Sequence, residues 1–194
     1  DLAKLDMRSG IERLMYSLLI ITVATMTAWI LAMLLGLKPL AFLPLNLAIW
    51  QRILLRLLAG FCGVFGFSMM FNSPIRLAAA AGLIGAVSNT LRLELIDLCS
   101  FPPAAAAFLG ACLAGLLAST LKGLAGYPRI AITVPSIVIM VPGLYLYKAF
   151  YNLGVMHLMA AASWLSSSIL IILALPFGLI FARILTDKTF RYCT

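Results

Sequence analysis

The chain has 194 residues, of which 64% are hydrophobic and 10% are charged, and its formal net charge is +8. Soluble domains contain about 45–50% apolar and about 25% charged residues, so a soluble globule of this length could not cover its apolar surface with polar groups. Disordered chains are poor in apolar residues, which excludes disorder. The basic residues stand singly between apolar runs, an arrangement that favours contacts with lipid head groups over nucleic-acid binding.

Six apolar runs approach the length of a membrane-spanning helix, which needs about 20 residues. In chain order they cover residues 14–36, 53–71, 77–91, 104–121, 130–151 and 158–184. The third run is short, and it spans only if its flanking arginines reach the head groups or the bilayer thins. No run alternates in polarity as a barrel strand does. The predicted fold class is therefore all-α, a polytopic transmembrane helix bundle of about six spans in contact with the lipid bilayer.

The basic residues that flank these runs predict the orientation of the bundle. Nine lie on one side, namely Lys4, Arg8, Arg13, Arg76, Lys122, Arg129, Arg183, Lys188 and Arg191. The other side has Lys38, Arg52, Arg56, Arg92 and Lys148. Because basic residues are enriched in cytoplasmic loops, both termini are predicted to be cytoplasmic in a multi-pass protein of the cytoplasmic membrane.

Residues for metal binding and catalysis are sparse. The four cysteines form no CxxC pair, and His157 is the single histidine, so the sequence predicts no metal site and no cofactor. The chain also lacks GxSxG and HExxH motifs and a pair of aspartates with protease-like spacing. We therefore do not expect an enzyme.

The fifth run contains the most informative pattern, because Pro135 and Pro142 lie seven residues apart and Gly143 follows the second. Each proline removes a backbone donor and disfavours a helical conformation in the preceding residue. The pattern predicts two half-helices around a short unwound segment. Secondary transporters bind substrate at such breaks, where half-helix N-termini attract anions and unwound carbonyls hold cations. A proline kink that only shapes the bundle is the alternative.

Polar residues near the runs complete the candidate site. The candidate substrate-binding residues are Asn72, Asn89, Ser136, Pro142, Gly143 and Tyr147. Ser136 and the N–H of Gly143 are expected to bind a carboxylate. The candidate proton-coupling residues are Glu94, Asp97 and Arg92: Glu94 or Asp97 would carry the proton, and Arg92 would act as a carboxylate partner. A solvated interfacial cluster of these three charged residues is the alternative.

Three motifs occur in the order of a known family: FGFSMMFNSPIR at residues 65–76, GLIG at 82–85 and ITVPSIVIMVPGLYLY at 132–147. Together they resemble the C-terminal membrane domain of the threonine/serine exporter (ThrE-like) family over residues 53–185. Residues 1–36 resemble the last transmembrane helix of the family's upstream N-terminal domain. The resemblance implies a linker or interfacial segment at 37–52 and a five-span domain at 53–194.

The resemblance also implies a function: part of a secondary active transporter that exports threonine, serine or related small solutes, driven by an ion gradient, with protons as the expected ion. Its expected partners are the amino-acid substrate and an N-terminal exporter domain in the same or a separate chain. Whether the protein forms a homo-oligomer is left open. The alternative is a channel or scaffold subunit that works only with a partner domain.

Overall fold

The computed structural model describes residues 7–36, 47–125 and 128–187 of the chain. The described residues form helices and turns, with no strand among them. In chain order the helices are α1 (Met7–Leu34), α2 (Ile49–Met70), α3 (Ile75–Cys99), α4 (Pro103–Ala125), α5 (Arg129–Val138), α6 (Gly143–Gly154) and α7 (Leu158–Thr186). The chain divides into two compact units, Asp1–Asn46 and Leu47–Thr194. Helix α1 belongs to the first unit, and α2 to α7 form the second.

The second unit contains four helices that are long and apolar enough to cross a membrane, namely α2, α3, α4 and α7. Helices α5 and α6 together pass the same test as one span that is bent by 42° at the break between them. This confirms the all-α transmembrane fold class, with four or five candidate spans among the described residues of this unit. Helix α1 covers most of the first of the six predicted runs. Of the predicted linker at 37–52, residues 37–46 lie outside the described residues, and 49–52 form the first turn of α2.

Helix α3 is longer than the apolar run at residues 77–91 predicts. Its 25 residues correspond to a length of about 37 Å at a rise of 1.5 Å per residue, which exceeds the thickness of a hydrocarbon core of about 30 Å. The helix continues through Arg92, Glu94 and Asp97 because each of these side chains finds a partner on another segment. The third span therefore needs no thinning of the bilayer.

Small residues allow the helices to approach closely. A Cβ atom added at Gly178 of α7 would lie 2.5 Å from the carbonyl oxygen of Phe108 in α4. At Gly60 of α2 an added Cβ would lie 3.1 Å from the Cα of Ala86 in α3. These pairs belong to the two most extensive helix–helix interfaces of the unit. In lipid, where apolar side chains gain nothing by leaving the solvent, such close packing holds helices together.

The fifth predicted run is broken at Pro142 and continuous at Pro135. Pro135 lies inside α5, so the unwound segment covers only residues 139–142 and does not extend back to this proline. The hydroxyl of Ser136 donates to the carbonyls of Ile132, at 2.7 Å, and Ala81, at 3.2 Å, which ties this turn of α5 to itself and to α3. Neighbouring helices and Ser side chains are what make proline tolerable in a membrane helix.

Candidate functional site

The break between α5 and α6 is buried at Met140 and Pro142 and exposed at Val141 and Gly143. The side chains of Met140 and Pro142 are both less than 2% exposed, and Val141 between them points outward with 50% exposure. The N–H of Met140 donates to the carbonyl of Ile137 at 2.9 Å, and that of Val141 to Val138 at 3.1 Å, so α5 ends in a tightened turn. Non-helical backbone at membrane depth is tolerated where protein or a wet cavity covers it, and protein covers this break at Met140 and Pro142.

Arg92 contacts the broken segment directly. Its Nη1 donates to the carbonyl oxygen of Met140 at 2.7 Å, and the residue is 9% exposed. Helix rise places Arg92 about 10 Å inside the C-terminal end of α3. Its Nε has no hydrogen-bond partner among the described residues, and none of their acidic side chains forms an ion pair with Arg92. Burying a guanidinium at this depth costs free energy, and a hydrogen bond to one carbonyl does not neutralise its charge.

Further unused hydrogen-bonding atoms lie on the same stretch of α3. Ser88, Asn89 and Thr90 are buried, and none of their side-chain oxygens Oγ, Oδ1 and Oγ1 has a partner among the described residues. Buried polar atoms are usually satisfied, so it is unusual that four of the five residues at 88–92 have a buried side-chain atom without a partner among the described residues. This stretch of α3 therefore has unused hydrogen-bonding atoms that are available to a polar molecule.

Two glycines bring this polar stretch of α3 against its neighbours. A Cβ added at Gly85 would lie 2.8 Å from the carbonyl oxygen of Ser136 in α5. One added at Gly110 of α4 would lie 3.1 Å from the carbonyl oxygen of Ser88, 3.2 Å from the Cβ of Arg92 and 3.3 Å from the Sδ of Met140. Ser88, Arg92 and the broken segment thus meet at one point of α4.

Ser136 and Gly143, the two expected carboxylate ligands, already make hydrogen bonds. The one hydroxyl hydrogen of Ser136 is directed to the backbone carbonyls described above. The N–H of Gly143 donates to the carbonyl of Val141 at 2.8 Å. Helix α6 has no side-chain cap, so helix geometry leaves the N–H groups of Leu144 and Tyr145, in its first turn, without a carbonyl of the same helix.

The structure does not bring Asn72 and Tyr147 to the break. Asn72 lies in the exposed turn between α2 and α3, with a positive φ of 59°. The start of α3 is separated from Gly85 by about 15 Å of helix. Tyr147 is 61% exposed and stacks on Tyr151, with 6.3 Å between the ring centroids. The substrate roles of Asn72 and Tyr147 stay predictions. Pro142 and Gly143 belong to the break itself, and Asn89 lies within one turn of Arg92 on α3.

Glu94 and Asp97 form a cluster with two arginines of α2. Arg52 Nη2 lies 3.0 Å from Glu94 Oε2, and Arg56 Nη1 lies 2.6 Å from Glu94 Oε1. Arg56 also bonds Asp97 through Nη2, and Arg52 Nη1 lies 4.0 Å from the same carboxylate. We call these four residues the ion-pair cluster. It separates Glu94 and Asp97 from Arg92, with which the sequence analysis had grouped them.

An aromatic group borders the first turns of α6. The ring of Tyr145 meets that of Trp164 in α7 edge-on, with 5.4 Å between the centroids. The Nζ of Lys148 lies 4.4 Å from the centroid of the same Trp164 ring, within the range of a cation–π contact. Lys148 therefore has an aromatic partner inside the bundle. Sequence reasoning missed Trp164 because it lies on the next helix.

The sequence analysis did not identify several residues of this site. The carbonyl of Met140 could not be foreseen, because a backbone acceptor carries no residue-type pattern. The stripe of Gly85, Ser88, Asn89 and Arg92 recurs at spacings of three and four, which place residues on one helix face. That spacing could have predicted that the four residues share one face of α3. Among the described residues, no group of three or more His, Cys, Asp or Glu side chains could hold a metal ion.

Comparison with known proteins gives a family and a distant relative. A family model described as "Threonine/Serine exporter, ThrE" matches residues 56–185. A curated protein of Haemophilus influenzae, described as an uncharacterized protein, is 26% identical over 139 residues, which cover 66% of this chain and 46% of that protein. The chain thus spans about half the length of this relative. No solved structure matches the chain.

Proposed function

Because the chain belongs to the threonine/serine exporter (ThrE) family, we propose that it is part of a secondary active transporter that exports threonine, serine or related small solutes. The observation that carries the proposal is the contact of the buried Arg92 with the broken segment between α5 and α6. A transporter needs a polar site at membrane depth beside a helix that can change shape. A buried guanidinium beside a bent helix pair supports such a site here.

In this proposal the substrate carboxylate binds between Arg92 and the first turn of α6. The unpartnered Nε of Arg92 offers a charge-assisted hydrogen bond, which is stronger than a neutral one. The N-terminus of α6 adds N–H donors and the positive end of the helix dipole. Asn89 and Ser88, with unpartnered buried oxygens, are the proposed acceptors for the ammonium and hydroxyl groups of the substrate.

The remaining residues of the broken segment keep the site in position. Ser136 holds α5 against the backbone of α3 through its bond to Ala81. Pro142 prevents α5 from continuing into α6, and Gly143 gives the backbone freedom at the first turn of α6. Movement of α6 about this break, with α5 fixed, is the proposed alternating-access step.

We propose that protons drive export and that the ion-pair cluster carries them. Glu94 and Asp97 are the only acidic residues on α2 to α6. Protonation of Glu94 would remove the charge that holds both Arg52 and Arg56, and it would loosen the start of α2 from the end of α3. The cluster thereby couples a proton to a contact between two spans.

We also propose a partner domain and an orientation. The N-terminal exporter domain, on the same or a separate polypeptide, would complete the transporter, and α1 would be its last helix. This is consistent with a chain that spans about half the length of its relative. The distribution of basic residues supports a place in the cytoplasmic membrane with both termini in the cytoplasm.

The test is efflux of labelled threonine and serine from cells that express the complete transporter, compared with cells that lack it. We expect efflux to fall at least tenfold in Arg92→Gln and to stay within twofold of wild type in Arg76→Gln, an exposed arginine at the start of α3. Membrane levels of both variants are measured by immunoblot. Equal efflux in the two variants would contradict the site.

The coupling proposal is tested in the same cells with a protonophore. Collapse of the proton gradient should abolish export against a concentration gradient. Export that continues down its concentration gradient only, with or without the protonophore, would indicate a channel. No difference between expressing and non-expressing cells for any amino acid would indicate a scaffold subunit.

A further inference from the structure

A groove of about 540 Å³ lies between the first turns of α5 and the last turns of α7. This is the opposite end of the bundle from the ion-pair cluster, because α4 ends and α5 begins here. The long wall of the groove is apolar and includes Ile130, Val134, Leu179 and Ile180. Ile130 is 69% exposed and Val134 is 47% exposed. In a membrane, an open apolar wall between two spans faces the acyl chains of lipids.

The end of the groove is cationic. Arg129 is fixed there, because its Nη1 donates to Thr186 Oγ1 at 2.8 Å and its Nη2 donates to the carbonyl of Gly115 at 2.8 Å. Arg183 also lines the groove, and its Nε lies 3.8 Å from Asp187 Oδ2. The side chain of Arg183 is 53% exposed. Among the described residues that line the groove, Arg129 and Arg183 are basic and Asp187 is acidic, so their formal charges sum to +1.

We propose that this groove binds an anionic phospholipid, with an acyl chain along the apolar wall and the phosphodiester at Arg129 and Arg183. The planar guanidinium matches the geometry of phosphate oxygens. Basic pockets between spans on the cytoplasmic side are suited to anionic head groups, and the sequence predicts that Arg129 and Arg183 lie on that side. The proposal does not depend on the transported substrate.

The shared chemistry is a phosphodiester, which a lipid or a soluble phosphate could supply, and the apolar wall favours the lipid. The complete protein, purified in a neutral detergent, is titrated with phosphatidylglycerol, with phosphatidylcholine of the same acyl chains, and with glycerol 3-phosphate. The thermal unfolding midpoint is the readout, because a ligand that binds only the folded state raises it. We expect phosphatidylglycerol alone to raise the midpoint. An equal rise with phosphatidylcholine would overturn the proposal, and a rise with glycerol 3-phosphate would assign the site to a soluble phosphate.

Two variants localise the effect. Arg183→Gln should weaken the apparent affinity for phosphatidylglycerol roughly fivefold, the loss expected for one basic residue near a lipid head group. Val134→Trp should weaken it by filling the apolar wall while keeping both arginines. Arg76→Gln, at the same end of the bundle but outside the groove, is the matched control and should change the affinity less than twofold. Equal losses in Arg183→Gln and Arg76→Gln, or an unchanged affinity in Val134→Trp, would show that lipid charge acts on the surface and not in the groove.

Discussion

Helix α3 carries charged residues in two places about a turn apart, Arg92 in one and Glu94 with Asp97 in the other, and the two places have different kinds of partner. Glu94 and Asp97 meet two arginines of α2, so the ion-pair cluster is neutral as a whole. Arg92 donates a hydrogen bond to the carbonyl of Met140 and forms no ion pair with a described residue. Both arrangements are held by packed helices, yet only the second leaves a charge without a counter-charge among the described residues. The comparison teaches that pairing, and not burial alone, separates a structural charge from one that is available to a ligand.

The physical reason is the cost of a lone charge in a medium that solvates it poorly. A paired charge is stabilised by its partner at every stage of a transport cycle. A cation that has only a dipole as partner gains most when an anion arrives. We therefore expect substitutions in the cluster to change stability and proton dependence, and substitutions around Arg92 to change substrate recognition.

The largest expected effect comes from separating the two helices that hold Arg92 against the break. In Gly85→Val the added side chain would clash with the carbonyl of Ser136 and with Val64. Because a backbone atom cannot rotate away, we expect a loss of about 3 kcal/mol, at the upper end of overpacking effects. Gly66→Val is the control, since nothing lies within 4 Å of a Cβ at Gly66. Thermal unfolding in detergent measures both, and equal midpoints would contradict the α3–α5 contact.

Breaking the ion-pair cluster should have the next largest effect on stability. Arg56→Gln removes two bonds to carboxylates, and we expect a loss of about 1.5–3 kcal/mol, typical of hydrogen bonds to charged groups. The double variant Arg56→Gln/Glu94→Gln should lose less than the sum of the two single variants, because the partners act as a pair. Strictly additive losses in thermal unfolding would show that the pair does not stabilise the fold.

Glu94→Gln and Asp97→Asn should differ in their effect on proton coupling. Glu94 bonds both arginines and its side chain is 13% exposed, whereas that of Asp97 is 38% exposed. We expect Glu94→Gln to abolish the response of threonine efflux to an imposed pH gradient and Asp97→Asn to reduce it by about half. The measurement is efflux at fixed substrate gradient with and without the pH gradient. A normal response in Glu94→Gln would remove the cluster from the coupling mechanism.

The smallest effect is expected at Asn72. Its φ of 59° lies in the left-handed region, which glycine adopts freely and alanine at a cost of about 1 kcal/mol. Asn72→Gly should therefore unfold within about 0.5 kcal/mol of wild type, and Asn72→Ala should be less stable than Asn72→Gly. Neither should change efflux by more than twofold. A transport defect in both variants, with normal membrane levels, would support the substrate role that the sequence predicts for Asn72.

The spans and the break at Pro142 could be predicted because their signals are local. Long apolar runs specify helices in lipid, and a proline followed by glycine marks where a helix stops. The features that could not be predicted depend on contacts between helices. Pro135 remains helical because the hydroxyl of Ser136 reaches α3, and α3 continues past residue 91 because its charged residues have partners.

The candidate site could be predicted only in outline for the same reason. The sequence indicates that Arg92, Glu94 and Asp97 are near each other, and their spacing is compatible with one cluster. The partners that divide them are Arg52 and Arg56, about 40 residues earlier, and the carbonyl of Met140, 48 residues later. No local pattern encodes these pairings.

The most direct measurement compares carboxylate recognition in wild type and Arg92→Gln. Membrane vesicles that contain the complete transporter take up labelled threonine in competition with unlabelled threonine or with threonine amide, whose carboxylate is replaced by a neutral group. Loss of a buried charged partner costs about 2 kcal/mol or more, so wild type should prefer threonine roughly thirtyfold or more. Arg92→Gln should lose this preference, and Arg76→Gln should keep it. An Arg92→Gln variant that still transports and still discriminates as wild type does would contradict the assignment of Arg92 to the substrate carboxylate.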